Sequence, residues 1–379
     1  MPAPIGVLYE HPDWFRPLFA ALDRRGLPYA RVEADQHRFD PSATAAPYSL
    51  VVNRMSASSY LRGHTNAIFQ TQQYLEYLEA VGVPVINGAQ AYALDTSKAR
   101  QLWLMTRLGL PHPRSRVANS ADQIVAAADD LAFPLIVKPS LGGSGALMRR
   151  FDDRDALRAA ADDGSLAGIL GVDYSAIVQE FHPPRGGSIV RVEVLDDRFL
   201  YAIRITKEQQ DDFNLCPADI CQAPGSDASA ESRIVPPPAP GATSPSVPPP
   251  PATSSPGTSG ATSATGLASS EAAAPVGSDF ELCPADAPKR SMTIEVAHPP
   301  AWVIDGVRAI FRAANVNVGG VEYLESERDG QIYLYDVNTL SNFVGDAPAL
   351  VGFDPFERFV DVIERRAGHG ARLAVGAST

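Results

Sequence analysis

The feature that most constrains this chain is the way its hydrophobic period changes along the first ninety or so positions. Apolar runs of strand length at residues 4–9, 48–52 and 83–86 take turns with helix-period stretches at 14–25 and 67–80. Such alternation predicts a parallel sheet, because parallel neighbours need a crossover connection, usually a helix. A helix over 97–108 follows, with Asp95 or Thr96 as its expected cap and Gly109-Leu110-Pro111 as its stop. Then come a strand at 133–138, a glycine-rich turn, a strand at 146–151, a helix at 154–161 and a strand at 176–181. Residues 189–195 and 199–206 read as a hairpin around Asp196-Asp197. A helix at 301–314, strands at 321–324 and 333–338, and a helix at 355–366 complete the series. The chain reads as α/β in its first part and α+β beyond it.

From about Ala223 to Gly277 the composition turns abruptly to Pro, Ser, Ala, Thr and Gly. Such a stretch has almost no large apolar residue to bury and is expected to stay unfolded, as a long insert in a folded domain. It is flanked by Asp212-Phe213-Asn214-Leu215-Cys216-Pro217-Ala218-Asp219 and Asp279-Phe280-Glu281-Leu282-Cys283-Pro284-Ala285-Asp286, identical at seven of eight positions. A paired cysteine site is one reading and a local duplication the other. Two cysteines without a nearby histidine make a poor zinc site.

The net charge of −12, with neither basic stripe nor basic tail, argues against nucleic acid or an anionic membrane as partner. No apolar run approaches the roughly 20 residues that cross a bilayer. The segment MPAPIGVLYEHPDWF lacks the features of a secretory signal, and the three cysteines do not make a disulfide framework. A cytoplasmic protein is expected.

Four segments carry chemistry. In Tyr335-Asp336-Val337-Asn338, residues two apart share a strand face, so Asp336 and Asn338 point one way and Tyr335 and Val337 the other. Glu322 on the preceding strand can add a third oxygen donor. Hard oxygens suit Mg²⁺; an exposed polar face is the alternative. Strand 133–138 ends in Lys138 and runs into Leu141-Gly142-Gly143-Ser144-Gly145. Backbone N–H groups of such a loop can approach phosphate, although this is not a Walker A sequence. Lys98 opens a helix, and alone it reads as a solvated surface lysine. Gln179-Glu180-Phe181-His182 ends a strand and is a candidate hinge against a purine edge.

Taken in order, Lys98, Lys138 with its glycine loop, the Gln179-Glu180-Phe181 hinge and Glu322…Asp336-x-Asn338 resemble the ATP-grasp carboxylate–amine ligases. The resemblance is closest to the branch of ribosomal-protein glutamate ligases and lysine-biosynthesis ligases. Val52-Asn53-Arg54-Met55 and Val85-Ile86-Asn87 are similar to that branch too. The resemblance implies a pre-ATP-grasp, Rossmann-like domain over 1–92 and two α+β subdomains, 93–182 and 183–372, that clamp ATP. It implies that Lys98 and Lys138 bind phosphates, with Lys138 also near adenine. Gly142, Gly143, Ser144 and Gly145 would cover the phosphates, and Gln179, Glu180 and Phe181 would meet adenine. Glu322, Asp336 and Asn338 would hold two Mg²⁺ ions, with Mn²⁺ as a substitute and Asp336 bridging.

Arg191 would serve the phosphate or the acyl intermediate, with Arg204 as a weaker candidate. Arg54 is a candidate for a substrate carboxylate, or else a surface salt bridge; Asn214 falls near the acceptor substrate, and His182 reads as hinge packing. The chain departs from the family pattern in three places. Ile189 stands where an acidic ribose ligand is common, leaving Glu180 or Glu193 for that contact. The loops Asn214–Asp219 and Thr339-Leu340-Ser341-Asn342-Phe343 also differ, which puts glutamate as the added amino acid in doubt.

The implied reaction is two-step: a carboxylate takes the γ-phosphate of ATP, and an amine then displaces phosphate to form an amide. The amine would belong to a small molecule, a peptide or a protein tail, and a homo-oligomer is expected. The competing readings are a non-ligating ATP-binding regulator and a small-molecule phosphotransferase.

Overall fold

Three sheets carry the architecture. A computed structural model describes residues 3–143, 145–207 and 292–376. Ser144, Asn214, the Pro/Ser/Ala-rich stretch 223–277 and both Leu-Cys-Pro-Ala-Asp segments lie outside the described residues. The described residues belong to one compact unit.

The first sheet is parallel, as the alternation predicts, in the order β2-β1-β3-β4. It consists of β1 (Ile5–Tyr9), β2 (Tyr29–Glu33), β3 (Leu50–Arg54) and β4 (Val85–Ile86), with α1 (Arg16–Arg24) and α2 (Thr65–Ala80) as crossovers. Pro17 stands in the first turn of α1, where its missing N–H costs nothing, and Pro12–Phe15 form a separate 3₁₀ turn ahead of it. The helix expected over 14–25 is therefore divided. The expected strand 48–52 is shifted to Leu50–Arg54. Its last two residues are polar yet buried, which hid them from a hydrophobic pattern. β2 has a single buried residue, Val32, and escaped the pattern altogether.

α3 (Ala89–Asp95) and α4 (Lys98–Arg107) lead into an antiparallel sheet ordered β5-β8-β6-β7. Its members are β5 (Ser115–Ala118), β6 (Leu135–Pro139), β7 (Arg149–Phe151) and β8 (Ala176–Glu180), with α5 (Ala121–Ala127) and α6 (Arg154–Asp162) on one side. The cap of α4 is Ser97, whose hydroxyl accepts from the Arg100 N–H; neither Asp95 nor Thr96 caps it. Asp95 instead ends α3 and its carboxylate is engaged elsewhere. Strand 146–151 contracts to β7 because Leu147, at φ 59°, turns the chain.

The third sheet is antiparallel throughout, in the order β11-β10-β9-β12-β13. It comprises β9 (Ser188–Leu195), β10 (Arg198–Lys207), β11 (Met292–Val296), β12 (Val318–Glu325) and β13 (Ile332–Asn338). α7 (Ala301–Ala313), α8 (Ala347–Val351) and α9 (Pro355–Gly376) complete the chain. The β9–β10 turn is the expected hairpin, with Asp196 and Asp197 both at positive φ, the conformation a two-residue I′ turn needs.

Val190, Val192, Val194, Val321, Leu334 and Val337 pack in one core cluster with Val303, Val307 and Ile310 of α7 and Leu104 of α4. On the opposite face of this sheet, Ile189, Leu195, Tyr201, Ile203 and Val318 pack with β1, α1 and α9. Arg191, Glu193, Glu322 and Asp336 lie on that second face.

Asn87 joins the first sheet to the third. Its backbone sits at φ 54°. Its side chain accepts from the N–H groups of Asn317 and Val318 at 2.7 and 3.2 Å and donates to Val318 O at 2.7 Å and to Thr339 O. No helix among the described residues is long and apolar enough to cross a membrane.

Candidate active site

The site is built on β9, β12 and β13, where register decides which side chains meet. Glu322 pairs with Arg191 on one side and Asp336 on the other, and Gly320 pairs with Glu193 and Asn338. Cross-strand partners share a face, so Arg191, Glu193, Glu322, Asp336 and Asn338 project together. Gly320 leaves the space for this. A Cβ there would stand 2.8 Å from both Arg191 Nε and Glu193 Oε1.

One expectation fails here. Tyr335 does not share the face of Val337, because the β12–β13 ladder slips by one residue between Glu322 and Tyr323. Tyr335 is the extra residue of a β-bulge, and the bulge turns it toward the carboxylates. Its hydroxyl donates to Glu322 Oε2 at 2.8 Å. Burial beside Glu322 pushes the Tyr335 phenol well up, so it stays a donor.

Two lysines face these carboxylates from other elements. Lys98 is the first residue of α4, and its N–H donates to Ser140 O at 3.0 Å, fixing the helix start against the end of β6. The Lys98 ammonium donates to Asp336 Oδ1. Lys138 is buried on β6; desolvation and then the nearby Lys98 charge bring its pKa down to about 7, against the pull of Asp336 and Glu322. Burial raises the Glu322 pKa and Asp336 adds to this, while Arg191 opposes it.

The glycine loop closes over the turn that follows β3. A Cβ on Gly143 would lie 3.2 Å from Ser58 Cβ and one on Gly142 3.6 Å from the Tyr60 hydroxyl, while Gly145 takes φ 71°. In the hinge, the N–H groups of Glu180 and Phe181 donate to Arg114 O and Pro134 O, both at 2.9 Å. The Glu180 carboxylate accepts from Ala132 N at 2.9 Å and Arg114 Nη1 at 3.2 Å, and Gln179 Nε2 donates to Ser115 Oγ at 3.0 Å. His182 packs on Tyr333, ring centroids 4.2 Å apart, with Nδ1 at 3.1 Å from Ser326 Oγ.

Arg191 is buried between two carboxylates. Its Nε donates to Glu193 Oε1 at 2.6 Å and Nη1 to Glu322 Oε1 at 3.2 Å. Burial disfavours the guanidinium charge, but Glu193 and Glu322 outweigh burial and hold its pKa above the ordinary value. Glu193 and Glu180, the two candidates for ribose, thus already serve partners inside the protein.

Arg54 is neither a surface residue nor open to a cleft. It is completely buried, its Nη2 donates to Ser341 O and to Asn342 Oδ1, and its guanidinium lies 5.2 and 5.5 Å from the Phe15 and Phe359 rings. Burial brings its pKa down to about 9, opposed by Glu193 and Asp95. Arg204 pairs in register with Val190, on the other face from Arg191, and is exposed beside Glu295 at 3.3 Å. It does not join the cluster.

Four residues of the framework were missed. Asp95 accepts from Thr339 N at 2.7 Å, and burial raises its pKa to about 6. Gln101 clamps β13 through Val337, donating to its carbonyl at 2.8 Å and accepting from its N–H at 3.1 Å. Ser341 and Tyr335 hold Glu193 and Glu322. Glu193 was weighed only for ribose, although the same period-two spacing that joins Asp336 and Asn338 also joins Arg191 and Glu193.

Among the described residues no group of three or more His, Cys, Asp or Glu is placed to hold a metal. The set here is two carboxylates and an amide. It fits Mg²⁺ by chemistry, since the donors are hard oxygens on one face and a cation, the Lys98 ammonium, already sits on Asp336.

The family described as the RimK-like ATP-grasp domain matches residues 95–216, which carry Lys98, Lys138, the glycine loop, the hinge and Arg191. The solved ATP-grasp ligase PsnB, complexed with a phosphomimetic variant of its minimal precursor, Mg and ADP, superposes with TM-score 0.58 at 16% identity, over 97% of this chain and 100% of that one. This is an ATP-grasp fold. A RimK domain ATP-grasp protein of Sphaerobacter thermophilus shares it, with TM-score 0.57 at 16% identity over 95% of this chain and 98% of the other. In sequence, the D-alanine–D-alanine ligase of Ectopseudomonas mendocina is 31% identical over 179 residues, 42% of this chain and 56% of that protein. The chain therefore spans about half the length of this curated relative.

Proposed function

We propose that this protein is an ATP- and Mg²⁺-dependent ligase that joins a carboxylate to an amine through an acyl phosphate. One observation carries the reading. Lys98 and Lys138, from two separate elements, converge on the face that holds Glu322 and Asp336. Two lysines and two carboxylates meeting in a partly buried place suit a polyphosphate with its metal.

In this reading Lys98 and Lys138 hold phosphates, and Gly142, Gly143, Ser144 and Gly145 cover them. Gln179, Glu180 and Phe181 border the adenine. Since the N–H groups of Glu180 and Phe181 are engaged, this segment would offer a purine its carbonyls rather than those donors. Glu322, Asp336 and Asn338 would hold two Mg²⁺ ions, which would offset the charge that builds on a transferring phosphoryl group. Arg191 supports that charge from beneath, through Glu322. Arg204, exposed on the other face, would act only from outside the cluster. Arg54 would act by anchoring the segment after Asn338, near the acceptor, rather than by touching substrate, and Asn214 belongs to the acceptor side. The substrates are a small-molecule or peptide carboxylate and an amine, or a protein tail, in a cytoplasmic homo-oligomer. The division at 1–92, 93–182 and 183–372 is supported by each segment's taking one of the three sheets.

The test is a screen of ADP release over amino acids, peptides and small carboxylic acids, with product masses. A new amide with ADP supports ligation. A phosphorylated product without an amide replaces it by phosphotransfer, and nucleotide binding without any ADP release replaces it by a regulatory role.

Lys138 makes a second prediction. Its free-protein pKa near 7 leaves it largely uncharged at pH 8, and a bound phosphate restores the charge by raising that pKa. Nucleotide binding at pH 8 is thus accompanied by uptake of about one proton, and affinity falls as pH rises from about 7 toward the bound-state pKa. Calorimetry in two buffers of different ionisation enthalpy measures the uptake. Lys138→Met should lose it, and no uptake in the unaltered protein removes Lys138 from the phosphate site.

A further inference from the structure

Arg191 is shared unequally between its two carboxylates. Its Nε meets Glu193 at 2.6 Å, whereas a single N–H reaches Glu322 at 3.2 Å. A guanidinium facing one carboxylate tends to close on it with two parallel hydrogen bonds. Toward Glu322 that fork is not made.

What holds Glu193 explains the asymmetry. The same Oε1 that takes Arg191 accepts from Ser341 Oγ at 2.9 Å, and the Ser341 carbonyl accepts from Arg54. Arg54, Arg191 and Glu193 are 0, 5 and 1% exposed, so none can relax into water. Among the described residues Arg54 Nε and Nη1 and Glu193 Oε2 have no hydrogen-bond partner, so the hydrogen bonds to the Glu193 carboxylate there come from Arg191 and Ser341. From the other side, the Tyr335 hydroxyl fixes Glu322 Oε2.

We infer that Glu193 is a positioning residue that keeps Arg191 from closing onto Glu322, so that Glu322 remains available to a divalent cation. The inference rests on the reading of Glu322, Asp336 and Asn338 as metal ligands. Without Glu193, Glu322 is the carboxylate left in hydrogen-bond reach of Arg191 among the described residues, and losing a partner raises the cost of the buried guanidinium charge. Arg191 would take both Glu322 oxygens and neutralise the carboxylate before any metal arrived.

Two titrations test this on the full chain: fluorescent ADP binding without metal, and Mn²⁺ binding followed by electron paramagnetic resonance at saturating ADP. Glu193→Ala should raise the Mn²⁺ midpoint by about tenfold or more, while metal-free ADP affinity moves by less than about twofold. Ser341→Ala, which removes one hydrogen bond to Glu193 and leaves its contact with Arg191, should raise it by about threefold. Glu193→Gln, whose amide oxygen can still accept from Arg191 Nε, should recover most of the loss. A role in stability alone lowers the melting temperature and leaves the Mn²⁺ midpoint in place, which overturns the inference. Equal midpoints for the Gln and Ala variants also overturn it, because charge alone is then responsible. If Glu193→Ala does not fold, Glu193→Met, of similar length and without an acceptor, takes its place with the same expected rise. An unaltered protein that binds neither ADP nor Mn²⁺ overturns the ATP reading itself and this inference with it.

Discussion

Asp336→Asn is expected to reduce substrate-dependent ADP release by roughly a thousandfold while leaving the fold in place. The change keeps the shape of the side chain and removes its charge. A metal that stabilises a transferring phosphoryl group contributes several kcal/mol, and about 4 kcal/mol corresponds to that factor. The cost in stability is small, because asparagine keeps an oxygen that can accept from the Lys98 ammonium. The measurements are ADP release, a Mg²⁺ titration and a thermal melt. Turnover within about tenfold of the unaltered protein would remove Asp336 from the metal site and with it the proposed reaction.

Asn87→Ala should destabilise more than it inactivates. The side chain makes four hydrogen bonds to backbone groups of Asn317, Val318 and Thr339, all buried. Truncation leaves those groups unsatisfied at about 1–3 kcal/mol each before relaxation. It also places alanine at φ 54°, a conformation that asparagine tolerates better. A net loss of roughly 3–5 kcal/mol is expected, and a melting temperature lower by roughly 6–10 °C. Asn87→Asp should cost at least as much, since it keeps the acceptor but turns a buried carboxylate oxygen onto the carbonyls of Val318 and Thr339. A shift below about 2 °C for the alanine variant would show that β12 is held in place by packing alone.

The contrast between these residues shows what the sequence could reveal. The shared face of Asp336 and Asn338 and the place of Lys138 near the end of a buried strand were legible because strand period is a local signal. Lys98 was legible as a helix start, although its cap stands at Ser97 and not at Asp95 or Thr96. Asn87 stood out only by its resemblance to one family branch, since its partners lie some 230 positions away. Tyr335 was placed on the wrong face because a bulge changes the phase of a strand without leaving a local mark. Arg54 was read as a strand-end arginine, and nothing near it in sequence announces Phe359 or Ser341 as neighbours. β2 and β5, edge strands with little to bury, were missed for the same reason that edges are polar.

The Lys98–Asp336 contact has a thermodynamic consequence. In the free protein the carboxylate already has a counter-ion, supplied by α4. If Asp336 holds the metal as proposed, a divalent ion would compete with that ammonium, and a phosphate that draws the ammonium away would leave the carboxylate free for it. Each event would then lower the cost of the other. Because such coupling is reciprocal, the factor by which nucleotide tightens the metal would equal the factor by which metal tightens the nucleotide. Each ligand would bind more weakly alone than in the presence of the other.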